Sequence, residues 1–136
     1  MITDKLSKGD ISESVVSSEL LRRGYVVSRP LATCSYDLVA EIDGELKKIQ
    51  VKSAFAKENS YGSKAYYANL TKTGRTYDNG EKSNKSEYYT SDEVDIFAIY
   101  VLDCNEVFIF SFDEAPNSGI KRVVDSWYKN HIDQKL

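Results

Sequence analysis

Two neighbouring residues, Asp43 and Gly44, constrain this chain more than any other pair. They stand between two runs of alternating character, YDLVAEI from Tyr36 and ELKKIQVKS from Glu45. Asp-Gly in that setting predicts a two-residue type I′ hairpin, because both central residues must accept positive φ. The turn also fixes the register. If Ile42 pairs with Glu45, Leu38 falls opposite Ile49, Asp37 opposite Gln50 and Ser35 opposite Lys52. Opposed residues share a face and successive ones alternate, so Tyr36, Leu38, Ala40 and Ile42 join Ile49 and Val51 on an apolar side. Asp37, Gln50 and Lys52 gather on the other. An acid, an amide and an amine side by side on a rigid sheet suit a divalent metal and a phosphate, although polar residues on the wet face of a hairpin are ordinarily just solvated.

Upstream, Ser7-Lys8-Gly9-Asp10 has the form of a capping box, which predicts a helix from about Lys8 to Arg23 with Gly24 just past its end. Its apolar stripe is Ile11, Val15 and Leu21, flanked by Val16 and Leu20, and Arg22 and Arg23 suit the negative C-terminal end. Glu13 lies off the centre of the stripe, where a surface glutamate would sit. Tyr25 to Ser28 reads as a short strand stopped by Pro30. Past the hairpin, Ser53 to Ser60 loses periodicity and Lys64 to Thr71 regains it. The stretch KTGRTYDNGEKSNKS, Lys72 to Ser86, lacks a core pattern and reads as a mobile surface loop. Val94 to Leu102 and Val107 to Phe112 read as a second hairpin, buried on much of both faces. After Pro116, Ile120, Val123, Val124, Trp127 and His131 fall at helical spacing, with Trp127 as core. Helix, strands and helix in that order predict α/β or α+β layering.

With 136 residues, 41% of them hydrophobic, the chain suits one domain spanning 1–136. No apolar run is long enough to span a bilayer and no signal sequence opens the chain, so no membrane partner and a cytoplasmic location are expected. Cys34 and Cys104 lack metal-ligand spacing and read as free thiols, and the single histidine, His131, makes zinc or histidine-base chemistry improbable. The net charge of -3 conceals a division. Residues 91–114 carry seven acids and no Lys or Arg, whereas Lys57, Lys64, Lys72, Arg75, Lys82 and Lys85 outnumber the acids between 57 and 90. Local charge governs where a polyanion docks. Lys64, Tyr66, Lys72, Arg75 and Lys85, interleaved with Tyr67, Tyr77, Tyr88 and Tyr89, form an aromatic and basic stretch suited to DNA, in which phosphate contacts would position and base contacts specify.

A helix carrying an acid, a strand ending in Asp37, a hairpin, and then Gln50-Val51-Lys52 together resemble the PD-(D/E)XK nuclease superfamily. Tyr36 stands where that pattern usually has proline, and Gln50 where it usually has an acid. Gly9 to Ala54 is similar to the Gln-x-Lys branch, which includes a cyanobacterial group I intron homing endonuclease; Ser91 to Phe112 follows the pattern more loosely. The resemblance implies a mixed sheet of four or five strands flanked by helices, a restriction-endonuclease-like α/β (α+β) fold. It implies a metal-dependent DNA endonuclease, with Glu13 reaching from the helix to the strand aspartate. Asp37, Glu13, Gln50 and the Val51 carbonyl would ligate Mg2+, for which Mn2+ could substitute, while Lys52 would position water or stabilise charge. Gln50 removes one negative charge from the usual set, for which Glu13 compensates; Glu41, two residues from Asp37, is an alternative ligand. Rival readings are a Holliday-junction resolvase and a non-catalytic DNA-binding module.

Double-stranded DNA and a second copy of the chain are the expected partners. Each base pair contributes about 1–3 kcal/mol of discrimination, and one domain of this size presents too little surface to read a long site and cut both strands. A symmetric homodimer or homotetramer answers both needs. The C-terminal helix around Trp127 and the strand Val107 to Phe112 are candidate contact surfaces.

Overall fold

The computed structural model describes the backbone of residues 5–58, 60–78, 81–116 and 118–136, and their side chains apart from 5–7, 73–86 and 123. The first element, α1 (Lys5–Arg22), starts before Ser7, so the expected capping box lies inside the helix. Its end is where Gly24 placed it: the Gly24 N–H donates to Leu21 O at 3.0 Å and the Tyr25 N–H to Leu20 O at 3.1 Å. The buried stripe is Ser12, Val16 and Leu20, while Leu21 is 57% exposed. The stripe is therefore turned away from Leu21, and the small polar Ser12 is accommodated because its hydroxyl meets that of Ser53 at 2.5 Å.

After β1 (Val27–Ser28) comes the hairpin of β2 (Leu38–Ile42) and β3 (Glu45–Glu58). Asp43 at φ 52° and Gly44 at φ 81° make the two-residue turn, and the ladder runs from Ile42↔Glu45 to Leu38↔Ile49 as counted from the sequence. β3 does not stop at Ser53. It continues to Glu58 and pairs with β4 (Lys64–Asn69), with Ala54 buried and Ala56 packed against the core while Phe55 and Lys57 stay exposed. Small inward residues hide a strand from periodicity, because Tyr66, opposite Ala56, supplies the bulk they lack.

Lys72 to Ser86, expected as a loop, lies within a two-stranded antiparallel ribbon of β5 (Thr71–Asp78) and β6 (Glu81–Tyr88), separate from the main sheet. Residues 79 and 80 fall outside the described residues, but their identities, Asn-Gly between the paired Asp78 and Glu81, are the hairpin signal that composition obscured. β7 (Ile96–Val101) then runs parallel to β3, and β8 (Glu106–Ser111) returns antiparallel to it.

The expected C-terminal helix is mostly replaced. Gly119–Val123 is a strand, β9, antiparallel to β4, followed only by the short helices α2 (Val124–Trp127) and α3 (Ile132–Lys135) with a 3₁₀ turn between them. The outer edge of β4 needs hydrogen-bond partners, and the segment supplies them. Gly119 is required there, since a Cβ at this position would lie 2.5 Å from the Ala68 carbonyl oxygen. Ile120 and Trp127 still reach the core, so the apolar pattern is satisfied by a strand joined to one helical turn.

The result is a mixed α+β sheet of seven strands, wider than the four or five expected. α1 packs on the face bearing Leu38, Ala40, Ile49 and Val51; on the other face Trp127 meets Tyr66, Phe108 and Phe110 edge-on. Trp127 and Val107 to Phe110 are thus core, which removes the surfaces expected to join two copies. Cys34 and Cys104 are free and exposed. Among the described residues no helix is long and apolar enough to cross a membrane.

Candidate active site

Ile49 pairs with both Leu38 and Ile96, and Ala54 with both Ala68 and Val101. β2 and β4 therefore share one edge of β3, with β7 on the other, and neither of them pairs with residues 50–53. At that gap opens a cleft lined by Glu13 from α1, Asp37, Gln50, Val51, Lys52 and Thr71. The four side chains singled out from sequence thus share one cleft.

They arrive by a route the register count did not foresee. The strand ladder ends at Leu38↔Ile49, and the Asp37 N–H donates to Ile49 O at 2.9 Å, one residue out of step with a continued ladder. The Asp37 carboxylate then takes over, with Oδ2 accepting from the Val51 N–H at 2.9 Å. Within a strand the N–H and C=O of one residue point to the same side. The Val51 carbonyl accordingly faces the gap as well, where Gln50 Nε2 donates to it at 3.4 Å. Gln50 and Lys52 belong to the sheet face opposite α1, so the acids and the amine meet around a strand edge instead of across a flat face. Glu41 is exposed on β2 and does not line the cleft.

Lys52 is the most constrained of the group. Its Nζ donates to the Thr71 carbonyl at 3.1 Å and lies 5.1 Å from the centroid of the Tyr89 ring. Burial pushes its pKa down, with the Asp37 carboxylate opposing that shift. Burial also pushes Asp37 up, held back by the Val51 N–H and by Lys52 and Arg29. Glu13 is raised by burial and next by Asp37, with Arg29 acting the other way through an ion pair at 3.0 Å. Two carboxylates that disfavour each other's charge, with an amide and a backbone carbonyl beside them, form an all-oxygen donor set. That chemistry suits a hard divalent cation of the Mg2+ or Mn2+ type. Among the described residues no group of three or more His, Cys, Asp or Glu is arranged to hold a metal ion, so an ion in this cleft would rest on two carboxylates with the Gln50 amide and the Val51 carbonyl.

Arg29, Thr71 and Tyr89 were not singled out for this site. Tyr89 was visible only as one of several tyrosines, and nothing local in the sequence marks the Thr71 carbonyl. Of the residues expected to touch DNA, Lys64 is exposed at the start of β4, and Lys72 pairs with Glu93 near the ribbon's root. Tyr66 is 6% exposed and its hydroxyl donates to Cys104 Sγ at 3.3 Å, so it faces the core and not a ligand. Arg75 and Lys85 lie on β5 and β6, their side chains outside the described residues. The acids of 91–114 are largely fasteners: Asp95 accepts from the Lys48 N–H, Asp103 from the Ala56 N–H and Glu93 from Ser35.

A sheet with a carboxylate-bearing helix on one face, and an Asp and a Lys meeting where two strands part, defines a nuclease fold of the restriction-endonuclease-like class. The chain belongs to the PD-(D/E)XK endonuclease family, whose sequence profile matches residues 3–134. It is similar to Protein 5.3 of Escherichia phage T7, with 36% identity over 124 residues that cover 83% of this chain and 93% of that protein. Among solved structures it is similar to the bacterial homing endonuclease I-Ssp6803I, with 29% identity and a TM-score of 0.69, over 89% of this chain and 79% of that one.

Proposed function

We propose that this chain is a metal-dependent endodeoxyribonuclease that hydrolyses phosphodiester bonds in double-stranded DNA, and that it acts as a site-specific homing endonuclease. The observation that carries the reading is the meeting of Glu13, Asp37, Gln50 and Lys52 at the unpaired edge of β3. Asp37, Glu13, the Gln50 amide oxygen and the Val51 carbonyl would hold Mg2+, or Mn2+ in its place. When bound, such an ion supplies an activated water and neutralises charge at the phosphate. The remaining work falls to the chain itself. Asp37 is fixed by the Val51 N–H. Lys52, held by the Thr71 carbonyl and the Tyr89 ring, offers a partly desolvated ammonium to the charge that develops on the attacked phosphate. Lys64, Lys72, Arg75 and Lys85 supply positive charge along β4 and the ribbon, and we assign them to the DNA backbone.

The I-Ssp6803I likeness favours the homing role over other nuclease roles. We take the chain as a single domain acting in the cytoplasm as a homodimer or homotetramer; the argument for self-association is reach on the DNA, since Trp127 and β8 are buried. The test is cleavage of duplex DNA in Mg2+ beside gel-shift binding in Ca2+. Asp37→Ala and Lys52→Ala should each lower the cleavage rate by about 10²-fold or more while binding persists. Undiminished cutting by either variant would remove the assigned roles.

A further inference from the structure

On the α1 side of the sheet, just past the N-terminal part of the helix, the surface changes character. Phe55, Tyr67 and Lys121 stand in one row across β3, β4 and β9, as directly paired neighbours. The two rings are nearly parallel and stacked, 9° between their planes with centroids at 5.7 Å. Lys121 and Lys57 place their ammonium groups 5.2 and 5.7 Å from the Tyr67 centroid. Phe55 is 56% exposed, an unusual state for a phenylalanine on a sheet. An open cleft of about 310 Å³ runs between these rings and Ser118 to Lys121. Phe55 and Asn69 also line the cleft that contains Asp37 and Lys52, so the two depressions are neighbours that share part of their walls.

A stacked aromatic pair whose Phe55 ring is half open to solvent, with ammonium groups beside its partner Tyr67, is chemistry that can extend its stack to a nucleobase and take the adjoining phosphates on the lysines. Bases within a duplex are already stacked and cannot present that face; only an unpaired base can. Phe55 points to the sheet face opposite that of Lys52, but it lines the same cleft as Asp37 at the strand edge, and its Cα is about 10 Å along β3 from that of Lys52, roughly three base steps. We propose that Phe55, Tyr67, Lys57 and Lys121 form a binding site for an unpaired DNA base and its flanking phosphates, next to the point of cleavage. The preferred substrate is then DNA with a gap, flap or locally opened segment beside the scissile bond. The proposal rests on the nuclease reading, and adds to it a substrate feature that the Asp37–Lys52 cleft alone does not specify.

The experiment is fluorescence anisotropy in Ca2+ with two labelled DNAs of one sequence, a continuous duplex and the same duplex carrying a short single-stranded gap. The wild-type chain should bind the gapped form more tightly. Phe55→Ala should reduce that preference about tenfold, the effect of losing one base stack, and bring the ratio of the two affinities near one. Phe55→Trp should keep the preference, separating stacking from mere folding. If wild type and Phe55→Ala show the same ratio, or Phe55→Ala weakens both DNAs equally, the site is not one for an unpaired base. If Phe55→Ala instead changes the sedimentation coefficient and leaves the ratio intact, the face joins copies of the chain and the proposal is overturned. Failure of the wider reading looks different, since the wild-type chain would then cut neither DNA in Mg2+, whatever its ratio of affinities.

Discussion

Two strand pairs, β2–β3 and β5–β6, are each joined in sequence by two residues, Asp43-Gly44 and Asn79-Gly80, and they belong to the fold in different ways. β2–β3 turns at Asp43-Gly44 and buries Leu38, Ala40 and Ile49 against Val16 and Leu20 of α1. β5 and β6 pair from Asp78↔Glu81 over eight residue pairs to Thr71↔Tyr88, and among the described residues they pair in strand register only with each other. Turn chemistry in the sequence suits both hairpins, but only a buried face ties a hairpin to a core. An isolated two-stranded ribbon is marginally stable in water. The ribbon is instead fixed at its root, where the Thr71 carbonyl receives Lys52, and Lys72 lies 5.4 Å from the same Tyr89 ring that Lys52 approaches. The element we assign to the DNA backbone is therefore joined to the fold through the lysine we assign to the chemistry.

The comparison can be broken most directly by stability. Ile49→Ala, in the first hairpin, should cost about 2–5 kcal/mol in urea unfolding, because Ile49 is fully buried between α1 and the sheet. Replacing residues 73–86 by Asn-Gly, so that the paired Lys72 and Glu87 flank a two-residue turn, should cost less than about 1 kcal/mol, since no strand of the main sheet is removed. Comparable losses in the two proteins would mean that the ribbon contributes to the core after all. A smaller effect probes the turn that sets the register. Gly44→Ala forces a Cβ onto a residue at φ 81° and should lower stability by about 1–2 kcal/mol with unchanged m-value. A cost near zero would show that the buried face alone fixes the pairing.

How far the sequence could be read follows the same division. The β2–β3 register, the end of α1 at Gly24 and the existence of β4 were legible, because turn residues or alternating period spoke there, although Tyr66 was assigned to DNA and lies in the core. β5–β6 was not, because Gly, Asn, Ser and Lys outweighed one Asn-Gly pair in a stretch with no apolar side. β9 was not, because Ile120, Val124 and Trp127 satisfy a helical spacing and equally a strand followed by one turn. At the candidate site, Asp37, Gln50 and Lys52 were found by counting residues across a turn. What the count could not show is that Asp37 leaves the ladder to cap the Val51 N–H. That step depends on β4 starting its pairing only at Ala54, a fact of tertiary structure with no local signal.

The C-terminal segment, where sequence periodicity misled, is fastened by polar contacts that an acid limb should reveal. The Glu114 carboxylate accepts from the Ser111 N–H at 3.0 Å, from Asn130 Nδ2 at 3.1 Å and from Lys135 Nζ at 3.2 Å. Asn130 is itself buried and also donates to the Ile109 carbonyl at 2.9 Å, so this clasp ties the 3₁₀ turn and α3 to β8. Partial burial works to raise the Glu114 pKa, but these donors outweigh it and bring the pKa down to about 2. A carboxylate depressed in the folded state stabilises it above the ordinary carboxylate range, and that contribution is lost as pH falls through the folded value. The wild-type chain should therefore lose stability relative to Glu114→Gln as pH drops from about 4.5 towards about 2. Because Glu114 is partly exposed, the difference should be the smallest of those considered and should shrink in high salt. Parallel pH–stability curves for the two proteins, measured by urea unfolding, would show that the segment is secured by Trp127 and Ile132 alone and that its polar clasp contributes nothing.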